Sequence, residues 1–436
     1  MTKILLVGGG AREHVIAETL AKSSRNPQIF AFMNANNPGI AGLAEKTLIG
    51  KLDDFVKLTS FIDETKPDFA IIGPEGPLAS GIVDFLEGKG VGSVGPKQEL
   101  AKLETSKSFT RELTEKYGIP GRPAFNVFKT EAGIKEYMEA LGQTVIKPDG
   151  LTGGKGVQVQ GEHFQTVDEG LEYAREVLKE HAAVVVEEKL IGEEFSVQSL
   201  CDGRTVVDCP IAQDHKRAFD GDKGPNTGGM GSYSDADHSL PFLTADDVRQ
   251  ARRITEKMAE SLYRETGMYY KGVLYGGFIA TKDGVKLIEY NARFGDPEAL
   301  NVLPLLITDP VDVFKAIVDG TLKDIDVKFA KKSTVCKYVV PKGYPTDPVK
   351  GEKISIGEVP EGVRTYFANV DKKEDGLYML GSRAAAFVGI GDSLAEAEKK
   401  AQAGVAAVTG KVAFRTDIGT DSLIQRRIDH MKALRG

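Results

Sequence analysis

Along the first hundred residues, short apolar runs alternate with segments whose apolar positions return every three or four residues. KILLV (3–7) runs into three glycines, and a helical pattern follows from Ala11 to Lys22. QIFAF (28–32) reads as a second strand and DDFVKLTSFIDET (53–65) as an amphipathic helix. FAIIG (69–73) is a third strand, ended by GPEGP; a helix runs through the eighties, and GVGSVG (90–95) is a fourth strand. Strands alternating with helices predict a doubly wound α/β fold with a parallel sheet. Ligands on such sheets collect outside the carboxyl ends of the strands, which here carry Gly8–Gly10, Asn34–Gly39 and Gly73–Gly76.

The pattern changes near Leu103. SKSFTRELTEKYG (106–118) is helical and closes on a glycine, a common helix stop. TVIKPD (144–149) and KGVQVQ (155–160) are strands flanking a glycine-rich loop, and AVVVEEKL (183–190) and EEFSVQSL (193–200) read as a further strand pair. Asp202-Gly203 and Asp283-Gly284 are hairpin turn signals. The first joins SVQSL to TVVDC and the second joins GVLYGGFIA to GVKLIEYNARF. Between these hairpins a long helix spans 244–265, with Thr244 as its N-cap. From about Lys331 short strands dominate (STVCKYVV, ISIGEV, VRTYFANV, AAAFVGIG), with one helix at 393–408. This predicts a small third domain, α+β or barrel-like.

With 436 residues the chain has material for two to four domains. Its net charge of -7 argues against broad nucleic-acid binding while leaving room for local phosphate sites. Its three cysteines, Cys201, Cys209 and Cys336, form no CxxC pair, so neither a zinc site nor a disulfide framework is indicated. With no secretory leader and no membrane-length apolar stretch, the expected compartment is the cytoplasm.

Five stretches carry candidate chemistry. GGGAREH puts glycines before a helix N-terminus, a setting that favours a phosphate. The third glycine of a dinucleotide fingerprint is replaced by Glu13, and the second strand ends in Met33-Asn34 without a ribose-binding acid, which argues against a nicotinamide-dependent oxidoreductase. KPDGLTGGKG (147–156) is a glycine-rich hairpin with lysines at both ends, suited to a flap over a polyphosphate; a P-loop would feed a helix and carry Ser or Thr after Lys155. In VVVEEKLIGEEFS (184–196), Glu194 is a candidate for ribose hydroxyls. In LIEYNARFGDPE (287–298), strand alternation would point Glu289, Asn291 and Arg293 one way, with Ile288 and Tyr290 on the other face. Glu289 and Asn291 are hard-oxygen donors suited to Mg²⁺, and Arg293 suits a carboxylate or phosphoryl group. Finally, the polar, glycine-rich segment 212–234 holds Asp214, His215, Lys216 and Arg217, which could bind an anionic, amine-bearing substrate.

QDHKR, GPNTGGMG and NARFGDPE, in that order, closely resemble the phosphoribosylamine–glycine ligase (glycinamide ribonucleotide synthetase) family of the ATP-grasp superfamily, as do VGPKQELAKLETSKSF and VIKPDGLTGGKGV. The resemblance covers nearly the whole chain, with the last hundred residues matching in general pattern. It implies an N-terminal α/β substrate-binding domain (1–104), an ATP-grasp domain (105–330) with a flap subdomain at about 122–190, and a C-terminal domain (331–436). It implies ATP-phosphate contacts from Lys107 and Lys147 and a flap at Gly153, Gly154, Lys155 and Gly156. It puts Glu187, Glu188 and Leu190 beside the adenine, Glu194 at the ribose, and Mg²⁺ or Mn²⁺ on Glu289 and Asn291. Asp214, Lys216 and Arg293 are the expected catalytic groups, with Asp214 and Arg293 positioning glycine. Gly10, Asn37, Gly39 and Glu75 are expected to border 5-phosphoribosylamine. Two departures stand out: the family's PGNAGT segment is NNPGIAG here, and the strand VLYGGFIA lacks the second metal-binding acid of many ATP-grasp enzymes.

The expected reaction is ATP-dependent joining of glycine and phosphoribosylamine through glycyl phosphate, by a monomer or weak homo-oligomer with no nucleic-acid or membrane partner. A different ATP-grasp ligase would keep the flap and the metal pair but lack QDHKR with GPNTGGMG. A noncatalytic nucleotide-binding protein would not need the metal pair and the lysines together.

Overall fold

The computed structural model describes residues 1–153 and 156–436. Its first sheet has five parallel strands in the order Lys46–Ile49, Gln28–Met33, Lys3–Val7, Phe69–Ile72, Gly92–Val94. Ile4 to Val7 at its centre are fully buried, which is why that segment reads as an unbroken apolar run. Lys46–Ile49 is a half-exposed edge strand whose KTLI pattern gave no apolar signal. Winding reverses beside Lys3–Val7, so the crevice between its end and that of Phe69–Ile72 is the switch point at which ligands of such sheets bind.

Two antiparallel sheets come next. One, in the order Phe125–Phe128, Val184–Glu188, Thr144–Pro148, Gln158–Val159, packs the helices Ile134–Leu141 and Val167–Glu180 around a core of its own that includes Met138, Ile146, Ala174 and Val186. The other runs Val206–Asp208, Gly192–Cys201, Gly272–Thr281, Gly284–Asn291. Both hairpins form where Asp-Gly predicted them, with Gly203 and Gly284 at positive φ. The expected pairing of AVVVEEKL with EEFSVQSL does not occur. The Lys189–Ile191 link has no positive-φ residue with which to turn a tight hairpin, so the chain passes from one sheet into the other. Helix Ala245–Thr266 lies on the second sheet, and Thr244 caps it by accepting the Asp247 N–H at 3.2 Å.

Strand alternation also fails at one point of Gly284–Asn291. Gly277 faces Glu289 and Phe278 faces Leu287, which leaves Ile288 as a bulge. Leu287 and Tyr290, three residues apart, are both buried, while Ile288, expected to share a face with Tyr290, is half-buried like Glu289. An extra residue in one strand re-aims the side chains beyond it.

The C-terminal sheet combines Gln213–Asp214 and Gly231–Ser234 with Ser333–Pro341, Ala385–Gly391 and Val363–Phe367, covered by helix Leu394–Ala406. A smaller sheet orders Val370–Lys373, Gly376–Met379, Lys353–Ile356 and Val408–Thr409. The last helix, Asp421–Arg435, turns back onto the second antiparallel sheet, where Arg427 meets Glu193 at 3.3 Å and Arg435 meets Asp247 at 2.7 Å. Among the described residues, no helix is long and apolar enough to cross a membrane.

Candidate active site

The two antiparallel sheets enclose a cleft of about 1070 Å³ that extends toward the N-terminal sheet and to Arg383 of the C-terminal region. Lys107 opens helix Lys107–Lys116, and its Nζ donates to the Gly150 carbonyl at 2.8 Å. Lys147, on Thr144–Pro148, lies 2.7 Å from Glu187 Oε2, and its Nζ donates to the Ile288 carbonyl at 3.3 Å. Arg111, one turn after Lys107, forks onto Glu187 at 2.6 and 3.0 Å and also donates to Ile288 O. Burial opposes ionisation of Glu187, yet Arg111 and Lys147 outweigh it and hold the carboxyl at about 2. Glu187 therefore lines the cleft with its charge committed to two cations rather than free for a base. The bulged Ile288 carbonyl gives Lys147 a second anchor.

The other residues expected around the nucleotide are dispersed. Glu188 accepts the Ala124 N–H at 2.8 Å and, like half-buried Leu190, is not among the residues lining the cleft. Gly153 lines it, and the Gly156 carbonyl accepts from Tyr173 Oη at 2.7 Å. Gly154 and Lys155 lie outside the described residues.

Lys216 reaches into the cleft between three carboxylates: Glu194 at 3.4 Å, Asp214 at 3.9 Å and Glu289 at 4.0 Å. Asp214 and Glu194 raise the Lys216 pKa well above the usual lysine range. Burial works against Glu289, but Lys216, Lys147 and Lys107 together keep its carboxyl below its ordinary value, hence ionised. A Mg²⁺-type ion carried by nucleotide phosphates keeps several waters and needs one or two protein oxygens. Ionised Glu289 and the Asn291 amide, both on the cleft wall, fit that requirement. Among the described residues no three His, Cys, Asp or Glu side chains form a complete protein cage.

At the far end, Arg293 pairs with Glu104 at 2.8 Å and Glu75 at 3.3 Å, on helices Gln98–Thr105 and Glu75–Ala79. Burial raises the Glu75 pKa, and Arg293 and Arg12 more than reverse this, leaving it at about 2. Gly10, Asn37 and Gly39 do not line the cleft. The Gly10 N–H, expected to face a phosphate, donates to Glu13 Oε2 at 2.6 Å. Asn37 is fully buried: its amide donates to Gly9 O and Phe367 O, and its oxygen accepts from Gly39 N. Its polar capacity serves the fold.

Apart from His215, grouped in the sequence with Asp214, Lys216 and Arg217, the other residues of the cleft had no reading of their own in the sequence. Arg111 and Glu104 sit on helices whose amphipathic pattern says nothing about ion pairing across domains. Glu298 ends the GDPE run, 2% exposed, and accepts from Tyr275 Oη at 2.7 Å. Arg383 arrives from the loop before strand Ala385–Gly391, 90 residues beyond Arg293, and donates through Nη1 to the carbonyls of Gly228, Gly229 and Asp296. His215 is buried against Tyr233, and neither ring nitrogen has a partner among the described residues. Burial and Arg415 lower its pKa to about 3, so the imidazole is neutral.

The chain matches the phosphoribosylglycinamide synthetase N domain over residues 2–104, the ATP-grasp (A) domain over 105–299 and the C domain over 334–421. It is 49% identical over 434 residues to the phosphoribosylamine–glycine ligase of Methanosarcina acetivorans, spanning 100% of this chain and 98% of that protein. It is 48% identical to that of Methanosarcina barkeri over 434 residues, 100% of both. The crystal structure of phosphoribosylamine–glycine ligase from Thermotoga maritima superposes with a TM-score of 0.81 at 28% identity, covering 95% of this chain and 100% of that one. With its cleft lysines, its Glu289–Asn291 pair and all three domain matches in chain order, the chain belongs to the phosphoribosylamine–glycine ligase (phosphoribosylglycinamide synthetase) family of ATP-grasp proteins.

Proposed function

We propose that the protein joins glycine to 5-phosphoribosylamine at the expense of ATP, giving glycinamide ribonucleotide, ADP and phosphate in purine synthesis. The observation that carries this reading is the convergence of Lys107, Lys147 and Lys216 with Glu289 on one cleft that ends at Arg293 and Glu75, beside the switch point of the N-terminal sheet. A carboxylate oxygen of glycine attacks the γ-phosphorus, and the bond to ADP breaks. The amine of phosphoribosylamine then attacks the acyl carbon of glycyl phosphate; the C–O bond breaks and phosphate leaves. Such chemistry is served by positioning and charge neutralisation rather than by a protein nucleophile.

Lys107 and Lys147 hold the phosphates, Glu194 the ribose, and Lys216 faces the transferred group. Asp214 and Arg293 position glycine, and Gly10, Gly39, Asn37 and Glu75 belong to the phosphoribosylamine end. There Glu75 faces the substrate, while Asn37 shapes the turn behind it. Residues 122–190 act as the flap subdomain, on the 1–104, 105–330, 331–436 division of the chain. Glu289 and Asn291 would hold Mg²⁺ or Mn²⁺, which supplies electrostatic stabilisation of charge on the transferring phosphoryl group. The setting is the cytoplasm, and the protein works as a monomer or weak homo-oligomer. ADP release tests the reading when ATP, Mg²⁺, glycine and fresh phosphoribosylamine are each omitted in turn. ADP forms only with the complete set; release that ignores both co-substrates overturns the assignment.

A further inference from the structure

Lys216 leads directly into a hairpin whose arms are Arg217–Phe219 and Lys223–Asn226. Thr227 closes its base: the Thr227 N–H and Oγ1 donate to the Lys216 carbonyl at 2.7 and 2.8 Å. A displacement of the hairpin is therefore passed to Lys216, the cation shared by Glu194, Asp214 and Glu289. Apolar packing does little to hold the hairpin, since Ala218 is buried but Phe219 beside it is 57% exposed.

Charge holds it instead, and that charge comes from the end of the chain. Arg415, 1% exposed, donates to the Arg217 carbonyl at 3.1 Å, pairs with Asp222 at 3.0 Å and forks onto Asp417 at 2.8 Å. Asp417 accepts the Gly221 N–H at 2.9 Å, and Asp220 accepts from the N–H and the hydroxyl of Thr416 at 2.9 and 2.6 Å. Thr416 is itself anchored, because its carbonyl accepts at 2.7 Å from Lys337, a fully buried lysine of the C-terminal sheet. From helix Asp421–Arg435, Arg426 and Arg427 both close on Asp222, at 2.6 and 2.5 Å. Arg415, Asp222, Arg427 and Asp417 are also the charges acting on the buried ring of His215, so the cluster stands behind the residue that precedes Lys216. The backbone shows what the Asp222 side chain serves. Its φ is +57°, a left-handed conformation that Asn and glycine adopt at least as readily. Backbone geometry therefore does not select an acid there; three guanidinium groups do.

We infer, on the ligase reading above, that Asp222 is a positioning residue for Lys216. The segment 415–427 grips the hairpin through it and so sets where the lysine stands against the transferred phosphoryl group. A part of the chain that lies 204 residues beyond Asp222 thereby helps to place a group of the central cleft. A small misplacement of such a group lowers the rate of the chemical step without weakening the binding of substrates.

A double-mutant cycle in the full-length protein tests this, with kcat and the KM values for ATP and glycine measured in wild type, D222N, K216A and K216A/D222N. D222N keeps the size and the backbone conformation and loses only the charge. Its kcat falls roughly tenfold to a hundredfold while both KM values stay within about twofold. On the K216A background the same substitution changes kcat by less than about twofold, because the lysine it positions is gone. An unchanged kcat in D222N overturns the inference. So does an equal loss with and without Lys216, or a parallel rise of both KM values, each of which marks a structural role. K216A with the wild-type kcat overturns it as well. If D222N does not fold, R427Q is read in the same cycle with the same outcomes, since Arg427 reaches Asp222 from the last helix. Wild-type turnover that ignores glycine removes the ligase reading itself; glycine-dependent turnover with an indifferent D222N removes only the role of Asp222.

Discussion

Glu187 and Glu289 are both carboxylates of the cleft with lysines nearby, and the structure uses them in opposite ways. Glu187 is saturated: Arg111 forks onto it and Lys147 lies at 2.7 Å, all three nearly inaccessible. Removing it strands two buried cations, so E187A costs about 3–5 kcal/mol of stability, read from urea midpoints. Glu289 is 38% exposed, and its closest cation among the described residues, Lys216, is 4.0 Å away. It is held ionised without being spent, the state of a group waiting for a ligand. E289A is expected to keep the wild-type urea midpoint and lose roughly a hundredfold or more in kcat. Near-normal turnover in E289A would remove the metal assignment. Sequence marked both residues as acids on strands; only packing distinguishes the anchored one from the available one.

At the scale of elements, the features legible in the sequence had a local cause. Thr244 caps the long helix as expected, and Asp247 three residues on closes a capping box with it. Asp283-Gly284 needed one positive φ, and the hairpin formed there. The Ile288 bulge was not legible, because the extra residue is defined only against Gly277 and Phe278 on the partner strand. The hidden role of NNPGIAG has the same kind of reason. Its short helix Pro38–Ala41 packs on His14 so tightly that a Cβ on Gly39 would stand 1.9 Å from the imidazole. That ring in turn accepts the Phe367 N–H at 2.9 Å, 353 residues away in sequence. Gly39→Ala must therefore push His14 off the C-terminal strand, at a cost of about 1–3 kcal/mol in chemical denaturation. A variant as stable as wild type would show that the contact yields freely.

Across the whole molecule, three strongly perturbed groups, Glu75, Glu187 and His14, sit where separate parts of the chain meet. Glu75 of the N-terminal region meets Arg293, Glu187 on strand Val184–Glu188 meets Arg111, and His14 meets the strand Val363–Phe367. Acid should therefore loosen these junctions in a definite order. Burial lowers His14 from 6.5 to about 4, with Glu18 opposing it. The unfolded chain takes up that proton first, so this contribution is complete above pH 6.5 and is lost as pH falls toward about 4. Glu75 and Glu187, depressed from 4.5 to about 2, contribute fully above pH 4.5 and lose that contribution between 4.5 and about 2. The His14 share of the urea midpoint should be level above pH 6.5 and decline toward pH 4, and the share of Glu75 and Glu187 should be lost below 4.5. His14→Gln keeps a side-chain oxygen that can accept from Phe367 N–H but has no proton to gain, so the gap between wild type and variant should change between pH 6.5 and about 4 and not below. A difference between wild-type and His14→Gln midpoints that stays constant from pH 7 to 4.5 would show that His14 is not the group that first couples acid to the junction of the N-terminal and C-terminal regions.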